Sequence, residues 1–516
     1  MKNSFGVEIP ESIDGLGKLI PYTGAWALQD RLDEVKLVPV PAKARKPHFD
    51  KTCANLEEAI KKAKPFNGMC VSFHHHLRGG DQLIIQSIEI LAKLGIKDIC
   101  IASSSLTTAH DCLVPFVQDG TITKIFSSGI RGELGRVVTE GALPHPIVIH
   151  SHGGRARAIK EGRISIDLAI LAAAAADNEG NATGQHGPSA FGSMGYGMID
   201  AQYAKQTIIV TDNMVEFPCV PASVPSHCVD FVTEIETIGD AKKIAGGTTR
   251  ITKAPLDLRI AKMAAEAIVA TEYFKDGISF QVGAGGASLA VAKYIREAMI
   301  QKEVKGSFLL GGVTSVCTDM LEEGLFQSIF DVQGFDAAVS GSLLNNPKHI
   351  EINSDQYASP MNSGAMTNKI DVVALGALEV DTNFNVNVIT SSTGDIMGAS
   401  GGHSDTAAGA NLSIVVAPAF RGRLPIIVEK AMTVVTPGES VDLVVTERGI
   451  CVNPLRKDLE EQLKAAGLWI RDIKELAKEV EGIVGKPAEI EHTDRIVGVV
   501  EYRDGSIIDV IKQPKR

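Results

Sequence analysis

Paired cysteines are missing from this 516-residue chain, whose eight thiols stand singly at positions 53, 70, 100, 112, 219, 228, 317 and 451. Without a Cys-x-x-Cys spacing neither a zinc ribbon nor a dithiol redox motif fits, and reduced thiols in a cytosolic protein are expected. The opening MKNSFGVEIPESIDG has no signal-type apolar run. The longest mainly apolar stretch, 166–176, falls short of the ~20 residues a membrane helix needs. Neither export nor a membrane span is expected. A basic excess is lacking too: the net charge of -11 is spread along the chain, which excludes the cationic stripe of a nucleic-acid surface. Small anionic ligands must then be met by local positive groups.

Glycine is what the chain has in plenty, with 50 residues, and many close backbone approaches follow. The length exceeds one ordinary core, so two large domains are expected. Short Val/Ile-rich runs alternate with helical patterns, as in LIIQSIEILAKLGIKDICIASSS (83–105), which reads as helix, Gly95 stop, strand. Such alternation predicts βαβ units and a mainly parallel sheet. Gly246-Gly247 marks the break, giving domains 1–245 and 246–516. An offset of 207 residues lays Ser72 on Ser279, Gly79 on Gly286 and Ser104 on Gly311. The chain thus reads as a duplicated α/β domain, its chemistry in the crevice at the carboxyl ends of the strands. Residues 455–516 read as a structural tail of the second domain, with two charged helices and a hairpin whose Asp504-Gly505 suits a two-residue primed turn.

Four segments carry polar chemistry. SFQVGAGGASLAVAKYI (279–295) sets Gly283, Gly285 and Gly286 between strand and helix, where free N–H groups favour an anion or a developing oxyanion. The dinucleotide alternative fails because the G-x-G-x-x-G spacing is not completed after Gly286. SFHHHLRGGD (72–81) holds the matching loop of the first half, with His74, His75, Arg78 and Gly79. Adjacent strand residues point to opposite faces, so at most two of its three imidazoles could meet on one metal ion. A positive, hydrogen-bonding wall for a polycarboxylate is preferred over metal binding and over plain packing. SSGIRGELG (127–135) and HSHGGRARA (150–158) add Arg131, His152 and Gly153, and guanidinium forks suit carboxylates. In GASGGHSDTAAGA (398–410), Ser404, His403 and Asp405 lie too close in sequence for a hydrolytic triad. Gly401, Gly402 and His403 read instead as a substrate or thioester loop, with Asp405 as its hydrogen-bond organiser.

Taken together, SFHHHLRGGD, IASSSL, SSGIRGELG, IHSHGGRA, VEFPCVPASV, GAGGASLAV, ALEVDTNFNVNV and GASGGHSDTAAGA resemble the alpha subunits of citrate lyase along nearly the whole chain. The resemblance implies two tandem domains of CoA-transferase type. It also implies partners, a lyase (beta) subunit and an acyl carrier (gamma) subunit whose CoA-like prosthetic group presents the thioester, and no tightly bound cofactor. The implied reaction exchanges acetate for citrate on the carrier. The second half also looks like the wider acetyl-CoA hydrolase and transferase family, in which a glutamate on the next strand accepts the acyl group. Aligned back from Asp319 in TDMLEEG, that position is Gly311, followed by Gly312. A glycine there leaves no acyl-accepting side chain and leaves room for citrate. Transfer to citramalate or another hydroxy acid, hydrolase or transferase chemistry of the wider family, and a carrier-docking scaffold without turnover remain as alternatives.

Overall fold

The computed structural model describes residues 1–74, 76–244, 252–283 and 285–516. His75 and the expected break at Gly246-Gly247 lie outside the described residues.

Two large sheets organise the chain, and their strand orders repeat. In the first, Ile147–His150, Ile122–Ser127, Ile99–Ser103, Cys70–Phe73, Leu168–Ala173, Gln206–Thr211 and Phe231–Glu234 lie side by side. In the second the same sequence of neighbours runs His349–Glu351, Phe326–Gly334, Gly306–Val313, Phe280–Val282, Val372–Gly376, Leu412–Val416 and Leu443–Thr446. All these pairs are parallel. Strands such as Leu168–Ala173 are buried at every residue, as a sheet covered on both faces requires. Each half also has a main apolar cluster of its own, one around Val71, Ile101 and Ile170, the other around Phe280, Leu309 and Val372.

Local sequence accounts for the elements. Leu83, Ile84, Ile88 and Leu91 form the buried stripe of helix Leu83–Lys93. That helix ends in a Schellman motif: Gly95, at φ 78°, donates to Ala92 and Ile96 donates to Leu91. Pro255 opens helix Pro255–Val269 at a position where a missing N–H costs nothing. The duplication extends to a small turn. Asp177 accepts from Asn181 backbone and side chain, and Asp381 does the same with Asn385.

The tail departs from expectation. Helices Lys457–Ala465 and Ile473–Val484 pack on the second half through Leu459, Leu463, Leu476 and Val480. The hairpin His492–Glu501 and Ile507–Pro514 instead joins the first sheet, parallel to Ile147–His150. Ile147–His150 needs a partner for its outer edge, and the apolar run 497–500 supplies one. The turn is also longer than a two-residue loop: Gly505 donates to Tyr502 at 2.9 Å and sits at φ 88°, the glycine position of a three-residue bulged hairpin. Among the described residues no helix is long and apolar enough to cross a membrane.

Candidate functional site

In both sheets the strand order reverses direction between the first and fifth of the seven strands named for each half, at Cys70–Phe73 beside Leu168–Ala173 and at Phe280–Val282 beside Val372–Gly376. Loops leaving these carboxyl ends diverge and open a crevice. A cavity of about 640 Å³ lies there, walled by both halves. The first half supplies Arg78, Arg131, His152 and Tyr196; the second supplies Gly283, the run 285–288, Gly312, Gln333, Tyr357 and the loop 399–403.

The two halves are joined by backbone contact at the motif glycines. A Cβ at Gly129 would lie 2.2 Å from the Gly398 carbonyl oxygen, and one at Gly135 would lie 2.3 Å from that of Ile396. Ser400 donates to the Ser128 carbonyl at 2.7 Å, and His152 donates to that of Gly401 at 2.9 Å. Asp405 is the organiser of this seam, accepting from Ser151 Oγ at 2.8 Å and from the Gly153 N–H at 2.9 Å. Its carboxylate thus sits on the positive end of helix His152–Lys160. Burial raises the Asp405 pKa, opposed by Arg503, whose Nε lies 3.6 Å away, and by these hydrogen bonds. Gly153 has no alternative, because a Cβ would meet the Ala358 carbonyl oxygen at 2.0 Å.

Positive charge on the cavity comes from arginine. Burial lowers the Arg78 pKa to about 10, helped by Arg131 nearby; its guanidinium lies 4.6 Å from the Phe335 ring centroid, a cation–π contact. Arg78 holds φ 53°, in the left-handed region. Burial lowers Arg131 as well. The imidazoles are driven neutral: burial takes His76 and His152 to about 3. His76 stacks on Phe191 at 4.5 Å and meets His74 edge-on at 4.2 Å; Tyr196 then lies between His74 and His152. His74 is hydrogen-bonded to Ser104 and buried. The expected charged histidine wall is therefore an imidazole and aromatic column behind two arginines.

On the facing side, Gly283 gives its N–H to the Ala374 carbonyl at 2.7 Å, so it serves the backbone ladder. Gly285 and Gly286 start helix Gly286–Lys302 with no side-chain cap, and their N–H groups have no acceptor among the described residues. These two are the donors open to an oxyanion. Gly311 does not open space. It has φ 101°, and a Cβ there would lie 2.7 Å from Gln281 Nε2, which donates to the Tyr357 hydroxyl at 2.8 Å. Gly312 makes room for the Phe335 ring, and Gly402 for the Tyr357 hydroxyl.

His403 lines the cavity but is spoken for, with Nδ1 on Thr436 Oγ1 at 2.7 Å and Nε2 on the Gly376 carbonyl at 2.9 Å. Ser404 and Asp405 are buried, and Asp405 faces Ser151; the three consecutive residues form no triad. Arg78, Arg131, His152, Gly283, Gly285, Gly286, Gly312, Gly401, Gly402 and His403 thus meet on one cavity, while His74, Ser104, Gly153, Gly311 and Asp405 stand behind it and Gly79 is exposed. Tyr196, Gln281, Gln333, Phe335, Tyr357 and Arg421 also line the cavity, outside the residues the motifs single out. The repeat held a signal for one of them, since Gln281 lies 207 residues after His74. Among the described residues no group of three or more His, Cys, Asp or Glu could hold a metal ion.

Comparison with known proteins places this arrangement. The family model "Citrate lyase, alpha subunit (CitF)" matches residues 49–514. The citrate lyase alpha chain of Klebsiella pneumoniae is 47% identical over 465 residues, covering 90% of this chain and 92% of that one. Its Escherichia coli counterpart is 46% identical over 472 residues, covering 92% of each. A crystal structure described as the alpha subunit of citrate lyase from Streptococcus mutans in complex with citrate superposes with a TM-score of 0.94 at 46% identity, covering 100% of both chains. A Pseudomonas malonate decarboxylase hetero-tetramer in complex with malonate contains a chain sharing the fold alone, at TM-score 0.63 and 16% identity, over 90% of this chain and 96% of that one.

Proposed function

The chain belongs to the citrate lyase alpha subunit family, and from that premise we propose that it exchanges acetate for citrate on an acyl thioester, with both substrates bound together. The observation that carries the reading is the pairing across one cavity of Arg78 and Arg131 with the open N–H groups of Gly285 and Gly286. Two half-buried guanidinium groups suit the carboxylates of citrate. The glycine N–H pair suits the oxygen of a thioester carbonyl under attack.

Citrate needs no general base, because a carboxylate with an ordinary pKa near ~4 is already ionised at neutral pH. One carboxylate oxygen of citrate attacks the acetyl carbonyl; the C–S bond breaks, the carrier thiolate leaves, and a mixed anhydride of citrate and acetate remains. The thiolate then attacks the citryl carbonyl of the anhydride and expels acetate, giving the citryl thioester. No proton is gained or lost. Holding both reactants in place supplies on the order of 7–11 kcal/mol, and each well-aimed oxyanion donor about 3 kcal/mol. Among the described residues Asp257 is the carboxylate on the cavity wall, and it accepts from Thr252 Oγ1 at 2.9 Å. Glu322 is exposed, and Glu379 is bound by Asn387 and the Met432 N–H. The thioester is a co-substrate, on CoA or on the CoA-like group of an acyl carrier subunit, and the citryl product passes to a lyase subunit. The cytoplasm, where single thiols stay reduced, is the proposed setting.

Purified chain, acetyl-CoA as donor and citrate as acceptor test this. Citryl-CoA and acetate should form in equal amounts, with intersecting initial-rate lines. Parallel lines, together with a donor-dependent mass increase on any Asp or Glu, would replace the ternary complex by a covalent route, with Asp257 the first residue to check. Citramalate in place of citrate measures acceptor selectivity in the same assay.

A further inference from the structure

The catalytic reading uses two of the cavity's arginines and leaves a third unexplained. Among the described arginines, Arg78, Arg131, Arg259, Arg421, Arg423 and Arg495 have no carboxylate oxygen within 4.0 Å, whereas the rest are ion-paired. Arg495 spends its guanidinium on the carbonyls of Gly141 and Leu143. Of the others, Arg78, Arg131 and Arg421 line one and the same cavity. A chain of net charge -11 has carboxylates to spare, so three unpaired guanidinium groups on one cavity point to anionic ligands.

Their settings differ. Arg78 and Arg131 are half-buried and lie close enough to depress one pKa through the other. Arg421 is exposed and stands at the rim. It sits on a short hairpin, Phe420–Arg421 paired with Leu424–Pro425, whose turn carries Arg423, also exposed. The hairpin has a firm base: Arg448 lies 5.3 Å from the Phe420 ring centroid and is itself ion-paired with Glu479. The cavity is also lined by the uncapped first turn of helix Gly286–Lys302, at Gly286 and Ala287. Asp257 is the acid on this cavity, held by Thr252.

We propose that Arg421, with Arg423 beside it, binds the phosphate that ends the pantetheine arm of the thioester substrate, so that the half-buried arginines hold the acceptor acid and rim arginines hold the donor. The inference rests on the proposed exchange reaction. A thioester carbonyl that reacts inside the cavity brings an uncharged pantetheine arm behind it, and the first charge along that arm is a phosphate ester. That phosphate is present both in CoA and in a carrier-borne CoA-like group. It has to stay near water, at the rim, where an exposed guanidinium fork can meet it without a desolvation cost.

The test crosses the variant with truncated donors. Acetyl-CoA, acetyl-phosphopantetheine and acetyl-pantetheine are each used with citrate, for the wild-type chain, Arg421→Ala, Arg423→Ala and the charge-matched control Arg259→Ala. Arg421→Ala is expected to raise KM about tenfold or more for both phosphorylated donors, as loss of a charged hydrogen bond does, and to leave acetyl-pantetheine and the citrate KM unchanged. Arg423→Ala should act in the same direction and more weakly, and Arg259→Ala should leave all three donors alone. An equal penalty on acetyl-pantetheine would overturn the proposal, since no phosphate is then being read. A penalty confined to acetyl-CoA would overturn it too, by assigning the arginine to the nucleotide phosphates. No penalty on any donor would also refute it, while continued turnover of acetyl-pantetheine would leave the exchange reaction standing.

Discussion

The side-chain amide of Gln281 occupies the space into which a side chain at Gly311 would project, 2.7 Å from where the Cβ would stand. In the first half the same two positions, 207 residues earlier, are His74 and Ser104, joined by a hydrogen bond. One pair of sites on neighbouring strands has thus become a polar side-chain pair in one half and a glycine with its filler in the other.

Gly311→Ala should therefore destabilise the chain. The residue sits at φ 101°, where an L side chain is strained, and its methyl would push Gln281 off Tyr357. A loss of roughly 1–3 kcal/mol is expected, read as a lowered Tm. Adding Gln281→Ala should return part of it by freeing the space; an unchanged Tm in Gly311→Ala would show that the contact yields without cost.

Gly285→Val keeps the backbone N–H but covers it. Gly285 has φ -78° and ψ 147°, which valine adopts without strain, so the variant should fold. Turnover should drop by ~10² or more, as when an oxyanion donor is lost. Wild-type turnover in a folded Gly285→Val chain would remove Gly285 from the oxyanion site.

Arg78→Ala should raise the KM for citrate more than the KM for acetyl-CoA, because the proposed reaction assigns this half-buried cavity arginine to the acceptor acid. A change in the acetyl-CoA KM alone would reverse the assignment of the two ends.

His76 sets a pH dependence of stability. Burial takes its pKa from 6.5 to about 3, and neither ring nitrogen has a hydrogen-bond partner among the described residues. Its folded pKa is depressed, so in the range between 6.5 and 3 the unfolded chain takes up the proton that the folded chain refuses. The stability is intact above pH 6.5 and falls as the solution is acidified through that window. Between pH 6.5 and 5 this group alone accounts for roughly 2 kcal/mol. Asp509, raised to about 6 by burial, works in the opposite sense over the lower part of the range. His76→Phe, which keeps the stack on Phe191, should flatten the acid-side fall in Tm; identical slopes in the two chains would deny His76 this role.

Much was legible in the residues themselves. Apolar periodicity, Gly95 and the offset of 207 gave a duplicated parallel α/β fold, because period and turn chemistry act over a few residues and repeat wherever they recur. Motif by motif, Arg78, Arg131, His152 and the 285–286 turn could be picked out, since a net-negative chain must gather cations and free N–H groups to hold anions. Tertiary structure alone decided the rest. Burial, which no local pattern reports, lowered the pKa of His76 and His152 and left the charge to arginine. Packing between halves decided that Gly129, Gly135 and Gly153 serve close backbone approach, and that Asp405 caps a helix of the other half. It also decided that the terminal hairpin closes the first sheet and brings Arg503 within 3.6 Å of Asp405. The partners of Asp405 lie 254 positions before it, at Ser151, and 98 after it, at Arg503, and only the fold brings them together.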